Sequence, residues 1–423
     1  MNSKVMLAVA AAFASGAVFA APTIEITKVQ QRWPWNNKLD ITYTVTDGQS
    51  LTDDPAGDTY YKVVFTTTIA GTEYTIDGDA VGASANSGTH TVTWKGAPSG
   101  VESDSLQMSA ALYSATAPSG DDYMIVQLTG ADAGKVTFEG LLKTQALSNA
   151  RYNVAEYKTG KMVFRKIPAG GPYTTGTTST TQVHGKNSLK TWTTYRDFYT
   201  AIFPVTRGQY STIVGSDPST EKNASALSGS ELTDRPVEHV SWNLARGTGS
   251  DPKVEVEPAA DGTFLQRLNF LTRAGCGVTG FDLPTEVMCE IAGRAGTTGY
   301  YYWGADSYNQ LPDYIVYSGN SGNTTAAVGS RKPNEWGLFD VSGNVWEWTR
   351  DKYTTTTIGD IAAKEDPFTP NGNAGDTYAV YRGGGGFNKE ISHNYYRIYA
   401  RYVDPVTTGN YSTLGFRVAW IAD

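Results

Sequence analysis

Cysteine is nearly absent: Cys276 and Cys289 are the only two in 423 residues. That count excludes a disulfide-built scaffold, and with no neighbouring histidine the pair does not make a zinc site. Histidine is almost as rare, at His90, His184, His239 and His393, so a three-histidine iron centre finds few candidates. Charged residues make up only 18% of the chain and the net charge is −8, which argues against nucleic acid as a partner. Beyond the first twenty residues no apolar run is long enough to span a bilayer. No Gly-x-Ser-x-Gly elbow and no phosphate-binding loop occurs. What the chain has instead is 45 glycines, 26 tyrosines and 10 tryptophans. This is the composition of a strand- and loop-rich protein with many large rings to bury. The length suggests two domains.

Residues 1–20 read as a signal peptide: Lys4, an apolar run from Val5 to Phe19, and a Val18-Phe19-Ala20 end before Ala21. No cysteine follows the run, so a lipid anchor is not expected. A secreted, periplasmic or cell-surface location follows. In such an oxidising compartment Cys276 and Cys289 could form a disulfide; two buried free thiols are the alternative.

Residues 21–145 alternate with period two. Ile24 and Ile26, then Ile41, Tyr43 and Val45, then Leu106, Met108, Ala110 and Leu112 share their segments with threonines and serines. Asp47-Gly48, Asp77-Gly78, Ser99-Gly100 and Ser119-Gly120 supply turns. The pattern predicts an antiparallel β-sandwich of immunoglobulin or fibronectin type. Trp33, Trp35 and Trp94 are expected as core or edge anchors, with carbohydrate stacking as the alternative for Trp33 and Trp35. Residues 146–160 form a linker, and 161–423 a second domain.

The second domain centres on Asn334–Asp351, NEWGLFDVSGNVWEWTRD. Asp340 and Glu347 bracket a turn at Gly343, and the carbonyls of Gly343 and Val345 lie two residues apart. Closely spaced oxygen ligands on a glycine loop suit Ca²⁺. This stretch resembles the signature of the formylglycine-generating enzyme, or sulfatase-modifying factor, family. Met162–Gly170, Phe203–Tyr210, Arg235–Trp242, Leu283-Pro284-Thr285-Glu286, Tyr381-Arg382-Gly383-Gly384 and Leu414–Val418 are similar to further blocks of that family, in the same order. The resemblance implies an α+β, C-type-lectin-like fold for residues 161–423. It also implies a structural calcium held by Asp340, Gly343, Val345 and Glu347.

The same resemblance places the family's two copper-binding cysteines just after the Arg-Gly-Gly block. Here that segment, Gly385–Arg397, has no cysteine. No copper is therefore expected, although thiolates are what Cu(I) requires. In their place stands a polar and aromatic set: Asn388, His393, Tyr395, Tyr396, Arg397, Tyr399 and Arg401. Such residue types form adaptable binding surfaces. Read as a strand, Arg397, Tyr399 and Arg401 share one face, and Tyr396 and Tyr402 the other. The interval 388–413 is expected to be a variable ligand-binding surface. The leading expectation is a secreted, non-catalytic protein that binds an extracellular glycan, peptide or protein. The alternative is a divergent metal-dependent oxidoreductase.

Overall fold

A computed structural model describes residues 23–422, except 32–37, 47–58, 70–71, 78–87, 96, 99–105, 107, 117–119, 142–144, 180–186, 221–226, 248–261, 305–307, 354–358, 373–374, 385–393 and 410. The expected signal peptide, Trp33, Trp35, Asn388 and His393 lie outside the described residues. The chain divides into two compact units: residues 1–118 with 142–151, and residues 119–141 with 152–423.

The first unit contains β1 (Thr23–Gln31), β2 (Leu39–Thr46), β3 (Thr59–Ile69), β4 (Thr72–Asp77), β5 (Gly88–Trp94) and β6 (Met108–Thr116). They form two antiparallel three-stranded sheets, ordered β1-β2-β5 and β4-β3-β6. The threonine-rich alternation does what period two requires. Leu39, Ile41, Tyr43 and Val45 of β2 point inward beside Val63 and Phe65 of β3, Ile76 of β4, and Val92 and Trp94 of β5. Threonines on the other face of β2 bond across strands, as Thr42 does with Thr91 at 3.0 Å and Thr44 with Thr89 at 2.9 Å.

The expected domain boundary at 145 moves. β7 (Tyr123–Gln127) and β8 (Val136–Glu139) belong to the second unit. β7 is buried along most of its length, because it lies inside a five-stranded antiparallel sheet. That sheet runs β17-β12-β9-β7-β8, with β9 at Lys161–Ile167, β12 at Phe198–Ala201 and β17 at Ala419–Ile421. A strand buried on both faces does not alternate, so sequence pattern alone could not assign it to a sheet. The expected linker is partly helical, at Gln145–Tyr152 and Glu156–Thr159. A two-stranded ribbon joins β10 (Gly170–Thr175) to β11 (Lys190–Thr194).

A second sheet, ordered β15-β14-β13-β16, carries the family signature. Its strands are β13 (Trp346–Tyr353), β14 (Tyr378–Arg382), β15 (Tyr402–Pro405) and β16 (Leu414–Phe416). β16 runs parallel to β13, and the other pairings are antiparallel. Three helices start at threonine caps. Thr206 and Thr263 each close a capping box with a glutamine, and Thr285 accepts from Met288 N–H at the head of helix Glu286–Arg294.

Candidate functional site

The central sheet has two unlike faces, set by the alternation along β13 and β14. Trp346, Trp348 and Tyr381 lie on one face; Glu347 and Arg382 lie on the other.

On the Glu347 face the strands meet helix Glu286–Arg294, which buries acids rather than exposing them. Glu290 and Arg294 stand one helical turn apart, a spacing that commonly gives an exposed pair. Instead, both are almost fully buried. Arg294 donates to Glu290 Oε1 at 2.8 Å, and Arg382 forms a further ion pair with Glu290 Oε2. Gly176 N–H also donates to Glu290, at 2.6 Å. Burial alone would raise the Glu290 pKa. The Arg382 and Arg294 guanidinia outweigh burial and hold it down to about 2. Glu286 is paired in the same way with Arg401.

The candidate calcium residues lie on the loop entering β13. Asp340, Gly343 and Asn344 all have left-handed backbones, with φ of 52°, 86° and 62°. Gly343 is required here, since a Cβ would sit 2.3 Å from Ile315 and 2.7 Å from the Val316 carbonyl. Asn344 is held by a reciprocal side-chain pairing with the backbone of Ala326, at 3.0 Å each way. Asp340 is buried and accepts from Gly329 N–H at 2.8 Å. Burial raises its pKa, and nearby Glu347 raises it further. Glu347 makes a two-pronged pair with Arg417, at 2.9 and 3.0 Å. The carbonyls of Val341 and Val345 converge with the Glu347 side chain on Gly383.

Among the described residues no group of three or more His, Cys, Asp or Glu side chains is placed to hold a metal. The calcium set differs from such a group, with two carboxylates and the remainder backbone carbonyls. Two buried acids share one arginine here; carboxylate and carbonyl oxygens are the donor type that Ca²⁺ takes, although both Glu347 oxygens are bonded to Arg417.

Behind this loop a small cavity of about 20 Å³ is lined by Cys289, Glu347, Arg382 and Arg417. Burial, seconded by Glu347, pushes the Cys289 thiol well up, so it stays protonated and unreactive. Cys276 ends its helix on the surface, and both cysteines are free thiols. Of the two alternatives for the pair, a disulfide or two free thiols, the structure has the free thiols.

The opposite face carries a cleft of about 430 Å³. Trp346, Tyr381 and Tyr402 stand on three neighbouring strands, with Tyr381 directly opposite Tyr402. Tyr395, Asp404, Tyr411, Thr413 and Leu414 complete the lining. The rings fix one another: Trp346 meets Tyr381 and Tyr402 at 5.2 Å, and Tyr395 stacks on Tyr402 at 5.6 Å. Gly384 sets the position of Tyr395. Its φ is +60°, and a Cβ there would lie 2.1 Å from the Tyr395 carbonyl.

Of the expected ligand residues, Tyr395 lines this cleft. The others among the described residues do not. Tyr396, Tyr399 and Arg401 are buried. Tyr396 packs in the core beside Ile398, and Arg401 is consumed by Glu286. Arg397 lies over the Tyr300 ring at 4.7 Å and donates to the Tyr399 hydroxyl at 2.7 Å. The expected strand is absent, because residues 394–400 form turns and β15 begins at Tyr402. Two-residue alternation therefore gave the wrong facing. Asp404, Tyr381 and Tyr411 were missed as site residues. The available signal was the Tyr402–Asp404 spacing, which puts both side chains on one face of a strand.

A family model for "Sulfatase-modifying factor enzyme 1-like domain" matches residues 154–422. The chain belongs to this family. Among similar proteins are formylglycine-generating enzymes of Thermomonospora curvata, 33% identical over 45% of this chain and 58% of that protein, and of Streptomyces coelicolor, 29% identical over 46% and 56%. The chain spans a little over half the length of these two relatives. The chaperone protein LppX of Paenibacillus barcinonensis is 26% identical over 45% of this chain and 70% of its own. Among solved structures, Treponema denticola variable protein 1 aligns over 62% of this chain and 95% of its own, at 24% identity and a TM-score of 0.47. PvdO of Pseudomonas aeruginosa aligns over 62% and 94%, at 19% identity and a TM-score of 0.46.

Proposed function

We propose that this sulfatase-modifying-factor domain is a secreted, non-catalytic binding module that takes an extracellular ligand in the aromatic cleft. The observation that carries this reading is a substitution of chemistry. The segment that stands where the family carries copper-binding cysteines has none. It contributes Tyr395 to a cleft lined by four tyrosines and Trp346. Rigid rings with polar edges offer contact area at low entropic cost, and the cleft volume lies within the range of about 300–1,000 Å³ typical of ligand pockets. The buried acid pair Asp340 and Glu347, with the Gly343 and Val345 carbonyls, would hold a structural Ca²⁺ that stiffens the loop entering β13.

The experiment is a glycan and peptide array probed with the full chain and with Tyr411→Ala. Tyr411 is 47% exposed, so its removal leaves the core intact. Binding by the wild type that falls at least tenfold in the variant supports the reading. Binding that is unchanged in the variant places the ligand elsewhere and overturns it.

A further inference from the structure

Asp404 is the carboxylate among the residues that line the cleft. It is half-buried on β15, and its partner among the described residues is the Tyr381 hydroxyl, which donates to Oδ2 at 2.8 Å. No lysine, arginine or histidine pairs with it among the described residues. Four other acids of this unit, all buried, do have cations: Glu290 has Arg294 and Arg382, Glu286 has Arg401, Asp351 has Lys364, and Glu347 has Arg417. Asp404 instead meets the Tyr381 hydroxyl and shares the cleft with a row of rings in which Tyr402 stacks on both Tyr381 and Tyr395. Trp346 is pinned edge-on by two tyrosines and only 6% exposed. It therefore offers no broad flat face of the kind a sugar ring stacks on. The groups lining the cleft are a carboxylate, four phenols, one indole, Thr413 and Leu414. Rings attract cations through their negative faces, and a carboxylate that has given one oxygen to a phenol still carries its charge. The chain's net charge of −8 adds a general attraction of the same sign.

We propose that the cleft binds an alkylammonium group, with Asp404 as counter-ion and Tyr381, Tyr395, Tyr402 and Tyr411 as the surrounding cage. This deepens the ligand-binding reading and rests on the cleft being the binding site. Burial raises the Asp404 pKa above its usual value, although the Tyr381 hydrogen bond opposes this. The titratable groups that line the cleft around it are the four phenols. Affinity for a cation should thus be full at neutral pH and be lost as pH falls through the Asp404 pKa, earlier than for an exposed aspartate.

The test is calorimetric titration of the full chain with choline and with 3,3-dimethylbutan-1-ol, its neutral carbon isostere. The expected result is choline binding about tenfold or more tighter than the isostere. Asp404→Asn should abolish that preference, and Tyr411→Ala should weaken choline several-fold. A peptide bearing trimethyllysine is titrated in parallel. If the peptide binds tighter than choline, the cation arrives on a chain; if choline binds tighter, it arrives as a free small molecule. Equal binding of choline and the isostere overturns the cation assignment while leaving the cleft a ligand site. Absence of binding by choline and the peptide alike also overturns it, and the array with Tyr411→Ala then judges the cleft separately.

Discussion

Glu290 shows how single residues hold this domain together. Its carboxylate satisfies two buried guanidinia and the Gly176 N–H. Glu290→Ala should cost about 3–5 kcal/mol, since it strands Arg294 and Arg382 without a counter-charge, and thermal unfolding of the variant checks this. Its pKa is depressed from 4.5 to about 2. The stability it contributes is therefore complete above about pH 4.5 and disappears as pH falls from there towards 2. Asp340 acts in the opposite sense, since its pKa is raised and acidification favours its folded form. Denaturation midpoints for wild type and Glu290→Gln should draw together as pH falls from about 4.5 and meet only at about pH 2 or below. A gap that persists there would show that the charge is not the source. The cysteines give a simpler test. Thiol labelling of denatured, unreduced protein should count two thiols per chain, whereas none would restore the disulfide.

At the scale of elements, the turns that glycine makes possible place the cleft. Gly384 lies against the backbone of Tyr395 and Tyr396, so the end of β14 and the tyrosine segment touch with no side chain between them. Gly384→Ala should cost more than about 1 kcal/mol and displace Tyr395, weakening ligand binding more than Tyr411→Ala does. Retained affinity would mean that Tyr395 is not part of the site. Much at this scale was legible in the sequence. The alternation in β2 announced its core face, and Gly343 announced the turn before β13. The tyrosine segment was misread for a physical reason. Alternating side chains resemble a strand, but nothing local reveals that Arg401 has a buried glutamate 115 residues away or that Tyr396 fills a core gap. Long-range pairing decides facing there, and one sequence does not show it.

On the scale of the whole molecule, the proposal is that the domain keeps the family frame and uses its aromatic cleft for binding. The frame consists of the Asp340–Glu347 loop, the Glu347–Arg417 pair and the Glu286–Glu290 network on one face of the central sheet. If the loop holds Ca²⁺, binding to the native state alone raises the melting temperature by mass action, and Glu347→Gln should remove most of the shift. Identical melting in chelator and in excess Ca²⁺ would leave Glu347 as the partner of Arg417 and nothing more. The cleft lies on the other face, with tyrosines near the segment where the family has copper thiolates. The central claim is that this exchange replaced redox chemistry with binding. Its most direct test is oxygen consumption by the full chain, loaded with copper and given a cysteine-containing peptide. The account predicts a rate equal to that of copper and peptide without the protein, and catalytic turnover above that rate would contradict it.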